Sequence, residues 1–310
     1  MLISKLRFRS AALSVVCASC LVLLCASVTA RPRRFSPAPP EPKAKPLHLL
    51  VYVSPENSFG VTSTLIYGHS EAILIDAQFL TSEAAKLADR IAATGTTLKA
   101  IFITHPDVDH YTGTAVLHER FPNAPIYMTA KALAHFKATV DQKLAGVRKL
   151  FPSEMPSSVP TPEALPSAHL TVDGQSVEII PDLQGDVLEP ANSFVRIPSL
   201  RAVVAGDIVF NGAHVFLADS NEQSRANWLK SIQRIASLHP LILVAGHKGN
   251  SGLPDDSAAL AFTRQYITDF DSARKSASNA DQVAAAMKQR YPQCSFELFL
   301  KLSSQKAFAH

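Results

Sequence analysis

The heptapeptide Thr104-His105-Pro106-Asp107-Val108-Asp109-His110 places four side chains able to ligate a metal within six residues, directly behind the apolar run Ala100-Ile101-Phe102-Ile103. A buried strand that breaks into a loop here presents those groups at its carboxyl end. His105 and Asp107 are two apart and point the same way in an extended segment. Asp109 and His110 are adjacent, so a loop or the first turn of a helix must aim them at a common point. Imidazole and carboxylate form the mixed donor set that divalent zinc, iron or manganese accepts. A lone histidine or Asp-x-Asp is ordinarily a solvated surface group; four such residues at one strand end read as a metal site.

Two more strand exits carry residues of the same kinds. Ala202-Val203-Val204-Ala205 runs into Gly206-Asp207, and Leu241-Ile242-Leu243-Val244-Ala245 into Gly246-His247. In α/β proteins ligands gather outside the carboxyl ends of strands, and a glycine before each polar residue permits a tight turn or close backbone approach. Taken singly, Asp207 reads as an Asx-turn or helix cap, and His247 as a satisfied structural histidine. Their occurrence beside the 105–110 cluster reverses that reading.

The elements that position these residues follow from apolar spacing. Strands are expected at 49–53, 62–67, 72–76, 100–104 and 126–128, with helices at 82–93, from near Tyr111 to Phe121, and at 130–150. Phe151 to Ser167 holds five prolines and reads as a long loop, either a lid or disordered padding. The second half repeats the logic, with strands at 176–180, 193–197, 202–205 and 241–245 and helices at 223–238, 255–273 and 281–290. Two halves of strands followed by helices predict a four-layer α/β sandwich.

The whole chain sets the bounds. Its 310 residues are 47% hydrophobic and 18% charged, an ordinary globular balance. Lys5, Arg7 and Arg9, the uncharged apolar run from Ala11 to Val28 and Val28-Thr29-Ala30 read as an export signal cleaved after Ala30. The expected product is periplasmic or secreted, without stable membrane association; an uncleaved signal would anchor it. Arg31 to Pro46, with six prolines, reads as a stiff linker, and the folded domain is expected over 47–310. Of 30 Lys and Arg, three lie in residues 1–30, leaving 27 against 26 acidic residues. A near-neutral body argues against a charge-based nucleic-acid or membrane role. Cys17, Cys20 and Cys25 lie in the signal, so Cys294 stands alone and thiolate ligation is not expected. No Gly-x-Gly-x-x-Gly, phosphate loop or Gly-x-Ser-x-Gly occurs, which disfavours nucleotide-dependent and serine-hydrolase chemistry.

With these segments in order, residues Leu49 to Asn250 resemble the metallo-β-lactamase-fold hydrolases. Ile73-Leu74-Ile75-Asp76 is similar to that family's strand ending in aspartate, and Thr104–His110 to its His-x-His-x-Asp-His motif. Ala205-Gly206-Asp207 is similar to the strand bearing the bridging aspartate, and Ala245-Gly246-His247 to the terminal histidine segment. His-x-Asp-x-Asp-His together with Phe210-Asn211-Gly212-Ala213-His214 resembles one bacterial subgroup. The sequence departs from the family pattern twice. Asp107 stands where a second histidine is usual, and no histidine lies between His169 and His214 to serve as a third ligand; Gln184 and Asp186 are the nearby substitutes, of which the carboxylate is the better donor.

The resemblance implies an αββα sandwich holding one or two divalent ions, zinc with iron or manganese as alternatives. The first position would use His105, Asp107 and a third group left open, for which Asp186 is the better candidate. The second would use Asp109, His110 and His247, with Asp207 bridging and Asp109 also catalytic. It further implies a metal-bound hydroxide attacking a small ester, lactone, thioester or lactam. A phosphodiester or sulfate ester on the same scaffold is the first alternative, and a catalytically silent binding protein with a decayed first position is the second. Of the remaining groups, Lys248 could meet an anionic substrate, His118 reads as a surface group on the helix after the motif, and His135, His169, His239 and His310 lack sequence partners.

Overall fold

Alternation along the strands decides the layers. In the segment Glu71–Ile75, Leu74 packs with Leu65 and Ile101 on one side, while Ile73 and Ile75 pack with Ile66 and Phe102 on the other. A period of two with both sets apolar requires a sheet covered on both faces. The computed structural model describes residues 45–309, so the expected signal and nearly all of the expected linker lie outside the described residues.

The first sheet comprises β1 (His48–Val53), β2 (Thr62–Tyr67), β3 (Glu71–Ile75), β4 (Thr97–Phe102), β5 (Ile126–Met128) and β6 (Glu163–Ala164), side by side in that order. β1, β2 and β3 pair antiparallel; β3 to β6 pair parallel. Its outer face is covered by α1 (Thr81–Ala93), α3 (Thr114–Arg120) and α4 (Ala130–Leu150), through Leu87, Ile91, Leu117, Leu133 and Phe136. α2 (Val108–Tyr111) is a single turn at the exit of β4.

The second sheet holds β7 (His169–Val172), β8 (Gln175–Leu183), β9 (Asn192–Ile197), β10 (Ala202–Val204) and β12 (Ile242–Val244), in the order β12-β10-β9-β8-β7. Val177, Ile179, Val195, Ile197, Val204 and Val244 meet the first sheet. Phe194, Val203 and Leu243 face outward against α5 (Glu222–Ala236), α6 (Ala258–Ser276), α7 (Ala280–Arg290) and α8 (Glu297–Lys306), where Trp228, Tyr266 and Phe270 are fully buried. A parallel pair, β11 (Phe210–Asn211) with β13 (His247–Lys248), closes one end. The architecture is the four-layer αββα sandwich.

Several local expectations are corrected. β4 stops at Phe102 rather than Thr104, because the chain bends over Thr104–Pro106. The helix expected from Tyr111 to Phe121 is split into α2 and α3, since the Gly113 N–H turns to the Gln78 carbonyl. The proline-rich stretch carries β6, tied by Leu165 N–H to Met128 O. β7 and α8 were not anticipated. Among the described residues no helix is long and apolar enough to cross a membrane.

Candidate metal centre

Asp76, in the left-handed conformation at the exit of β3, organises the first part of the site. Its carboxylate accepts from the Thr104 N–H (2.8 Å) and Thr104 hydroxyl (2.8 Å), which pins the bend after β4. It also lies 3.0 Å from His110 Nδ1. That contact fixes the ring so that Nδ1–H donates to the carboxylate and Nε2 carries the free lone pair. His247 is set the same way by the Phe59 carbonyl, 2.7 Å from its Nδ1. A backbone carbonyl can only accept, so Nδ1 holds the proton and Nε2 is again free.

These free nitrogens converge. His110 Nε2 and His247 Nε2 are 3.4 Å apart. Asp207 stands between them, one carboxylate oxygen 3.1 Å from His110 Nε2 and the other 3.0 Å from His247 Nε2. Asp109 lies 3.3 Å from His247 Nε2. Glycines allow this crowding: a Cβ on Gly246 would sit 1.9 Å from Asp207 Oδ1, and Gly206, at φ +50°, lies against Thr104. Zipping of the two strand exits by Gly246 N–H to the Gly206 and Val209 carbonyls holds Asp207 beside His247.

On the other flank, His105 Nε2 is 3.8 Å from Asp186 and 3.9 Å from Asp207. The second Asp186 oxygen accepts from the Asn192 side-chain amide at 2.9 Å. Gln184 instead turns its amide to the Val187 and Leu188 carbonyls, away from the histidines. The ligand atoms of His105, Asp107 and Asp186 lie within 4.8 Å of one another, as do those of Asp109, His110 and His247 and those of His105, His110 and Asp207. The structure therefore brings together all seven residues singled out in the sequence.

The donor set fits a divalent cation. His105 Nε2 and Asp186 Oδ2 are buried without a hydrogen-bond partner, a cost that native structures rarely carry unanswered. Two imidazole lone pairs and two carboxylates facing one point repel one another unless a proton or a metal sits among them. The electrostatics say the same. Burial disfavours charge on His247, yet Asp207 and Asp109 overcome it and raise its pKa to about 10. Burial likewise opposes charge on His110, and Asp207, Asp76 and Asp109 outweigh it. Burial, then Asp107 and Asp207, push the Asp186 carboxyl well up. Burial, then His110, lower the pKa of His105, but the strong pull of protons onto His110 and His247 marks a place for positive charge.

Two features of the site carried no sequence signal. Lys143, on α4, bonds Asp107 and also donates to Pro106 O at 3.0 Å. Against the burial of the pair, this ammonium holds the Asp107 carboxyl below its usual range. α8 supplies Phe299, whose ring lies 5.3 Å from that of His247. Lys248, by contrast, is buried and bonded to Asp255 at 2.9 Å, while His118, His169 and His239 are exposed. His214 is buried, with Nδ1 2.8 Å from Tyr266 Oη, apart from the seven converging groups.

A cleft of about 700 Å³ opens onto Asp107, Asp109, Asp186, Asp207 and His247. A second cavity, of about 780 Å³, is lined by residues such as Glu189, Arg225 and Lys306 and holds none of the seven groups, so the chemistry belongs to the first.

The family model of the metallo-beta-lactamase superfamily matches residues 57–247. That span covers more than half of the chain, and the chain belongs to this superfamily. Solved structures agree at the level of the fold. A metallo-beta-lactamase from Pontibacter korlensis is 16% identical with a TM-score of 0.55, covering 72% of this chain and 100% of its own. A metallo-beta-lactamase family protein from Thermus thermophilus is 18% identical with a TM-score of 0.56, covering 82% and 91%. No curated protein matches the chain. Membership supports a metal-dependent hydrolase as the kind of protein.

Proposed function

We propose that the chain hydrolyses a small ester, lactone, thioester or lactam at a site where Asp109, His110 and His247 hold one divalent ion and His105, Asp107 and Asp186 hold a second, with Asp207 between them. One observation carries the reading: the Nε2 atoms of His110 and His247 face each other at 3.4 Å with both Nδ1 atoms already engaged. When bound, the metal supplies Lewis acidity that acidifies water and stabilises the charge developing on a carbonyl oxygen.

The chain's own residues do the rest. Asp109 lines the open cleft, so its carboxylate can orient the attacking water and take its proton. Asp76 and the Phe59 carbonyl hold the two imidazoles in one tautomer, which keeps their lone pairs aimed during turnover. Phe299 packs edge-on against His247 and meets Phe59, an apolar flank that strengthens the electrostatics beside it.

Metal analysis of the purified protein, with hydrolysis of p-nitrophenyl acetate, a lactone, a thioester and a lactam by wild type, His247→Ala and Asp109→Asn, tests the proposal. Bound metal and turnover of at least one substrate, both lost in His247→Ala, are expected. A metal-loaded protein inert towards all four would sink it.

A further inference from the structure

The cleft over the metal centre is built for grease at one end and for uncharged chemistry at the other. One wall is the last half of α4, where Lys143, Gly146, Val147 and Leu150 follow helical i, i+3, i+4, i+7 spacing and share one face. The opposite wall is α8, which presents Leu298, Phe299 and Leu302. Between them runs a chain of aromatic contacts leading outward from His247. Phe299 meets Phe59 at 5.2 Å, Phe59 meets Phe79 at 5.8 Å, and Phe79 meets Phe151 at 5.2 Å. Such a wall is rigid and apolar before anything binds.

The rim is apolar too. Six large hydrophobic residues are exposed among the described residues, and three of them, Leu150, Leu298 and Leu302, stand at this cleft. Isolated exposed leucines mean little, but a contiguous apolar rim around a cavity marks a binding surface.

Charge narrows the occupant further. The cleft is lined by five aspartates, at 107, 109, 186, 207 and 219, and by one cation, Lys143, which is already bonded to Asp107. Two divalent ions and Lys143 would neutralise those aspartates and leave no positive charge over. Beyond the ions themselves, the cleft lining offers an anionic phosphodiester or sulfate ester no unengaged side-chain cation to offset its desolvation.

Resting on the hydrolase reading above, the geometry points to an uncharged acyl compound with an apolar chain as the substrate class. The chain lies between α4 and α8 against the aromatic wall, and the carbonyl reaches Asp109 and His247. Shortening the chain removes buried area, so affinity and kcat/KM both follow chain length.

The test separates binding from turnover. Calorimetry on the purified, zinc-loaded full chain measures Kd for non-hydrolysable methyl ketones with butyl, hexyl and octyl chains, and for octanesulfonate. Kd should fall about fourfold per added methylene, and octanesulfonate should bind at least roughly tenfold more weakly than the octyl ketone. The double substitution Leu298→Asn, Leu302→Asn should flatten the series. Leu150→Asn on the opposite wall, at a position 71% exposed, should flatten it partly without endangering the fold. A Kd independent of chain length, or tighter binding of the sulfonate, would overturn the inference. If the octanoyl ester and the corresponding lactone, thioester and lactam are all left unhydrolysed while Kd still follows chain length, the hydrolase reading fails and the cleft assignment stands.

Discussion

Lys143 offers the sharpest perturbation of the metal centre. Its ammonium bonds Asp107, with side chains only 21% and 14% exposed, so the pair is largely withdrawn from water. The same carboxylate is a candidate ligand with His105 and Asp186. Lys143 and a divalent ion therefore compete for Asp107. Replacing Lys143 by Met keeps the length and apolar stem but strands a buried carboxylate. Removing one partner of a buried pair typically costs 3–5 kcal/mol, and the residual exposure of Lys143 puts this case near the lower end, at about 3 kcal/mol. A cation at the first position would replace the lost charge. The destabilisation should then appear in chelator and largely vanish in zinc. By the same cycle, zinc binding at that position should tighten by one to two decades, since about 1.4 kcal/mol is tenfold.

The assay is urea unfolding of wild type and Lys143→Met, each with chelator and with saturating zinc, together with a zinc titration of both. Wild type should show two unequal positions, the tighter one being Asp109–His110–His247. An equal loss of stability with and without zinc, accompanied by unchanged zinc affinity, would show that Lys143 merely props up the loop. The competition argument would then be wrong.

Three further outcomes follow from the same geometry. Asp76→Asn should weaken zinc binding roughly 10- to 100-fold while leaving the circular dichroism spectrum intact, because it loosens the His110 ring; unchanged affinity would count against the orienting role. Burial, ahead of Lys288, lowers the pKa of His214 to about 4, so the unfolded chain takes up a proton between roughly pH 6.5 and 4 that the folded chain refuses. Stability should fall with acid through that window by about 2 kcal/mol after allowance for solvent screening, and unfolding of His214→Asn across the same pH range should lack that component. Partial burial also raises the Cys294 thiol to about 11, so alkylation by iodoacetamide near pH 8 should be slower in the native protein than in urea; equal rates would contradict the half-buried placement.

Much of the fold and centre was legible because the relevant information is local. Apolar alternation in Ile73-Leu74-Ile75 and in Ala100–Ile103 declares strands covered on both faces. The glycine before Asp207 and the glycine before His247 mark the two places where backbones crowd, and a side chain at Gly246 would indeed collide with Asp207. Boundaries were less legible where a distant group decides them. β4 ends early and α2 separates from α3 because Asp76 and Gln78, from another strand exit, capture backbone groups of Thr104 and Gly113.

What escaped the sequence is the half of the site built by tertiary contact. Asp186 could be reached only by elimination. Its position depends on the register shift between Ile180 and Leu183 in β8 and on the amide of Asn192, neither of which leaves a pattern in the residues. The spacing of Lys143, Gly146, Val147 and Leu150 does declare a helix face, but nothing within α4 says that the face looks onto Asp107. α8 is harder still. It is ten residues long, enters from Phe296 at φ +67°, and buries Ser303 and Ser304 among its apolar positions, which blurs the amphipathic stripe. Ligands at strand ends can thus be read from one dimension, since each is set by its own strand. The apolar walls that choose the substrate come from helices docked across the site, and they belong to the packing.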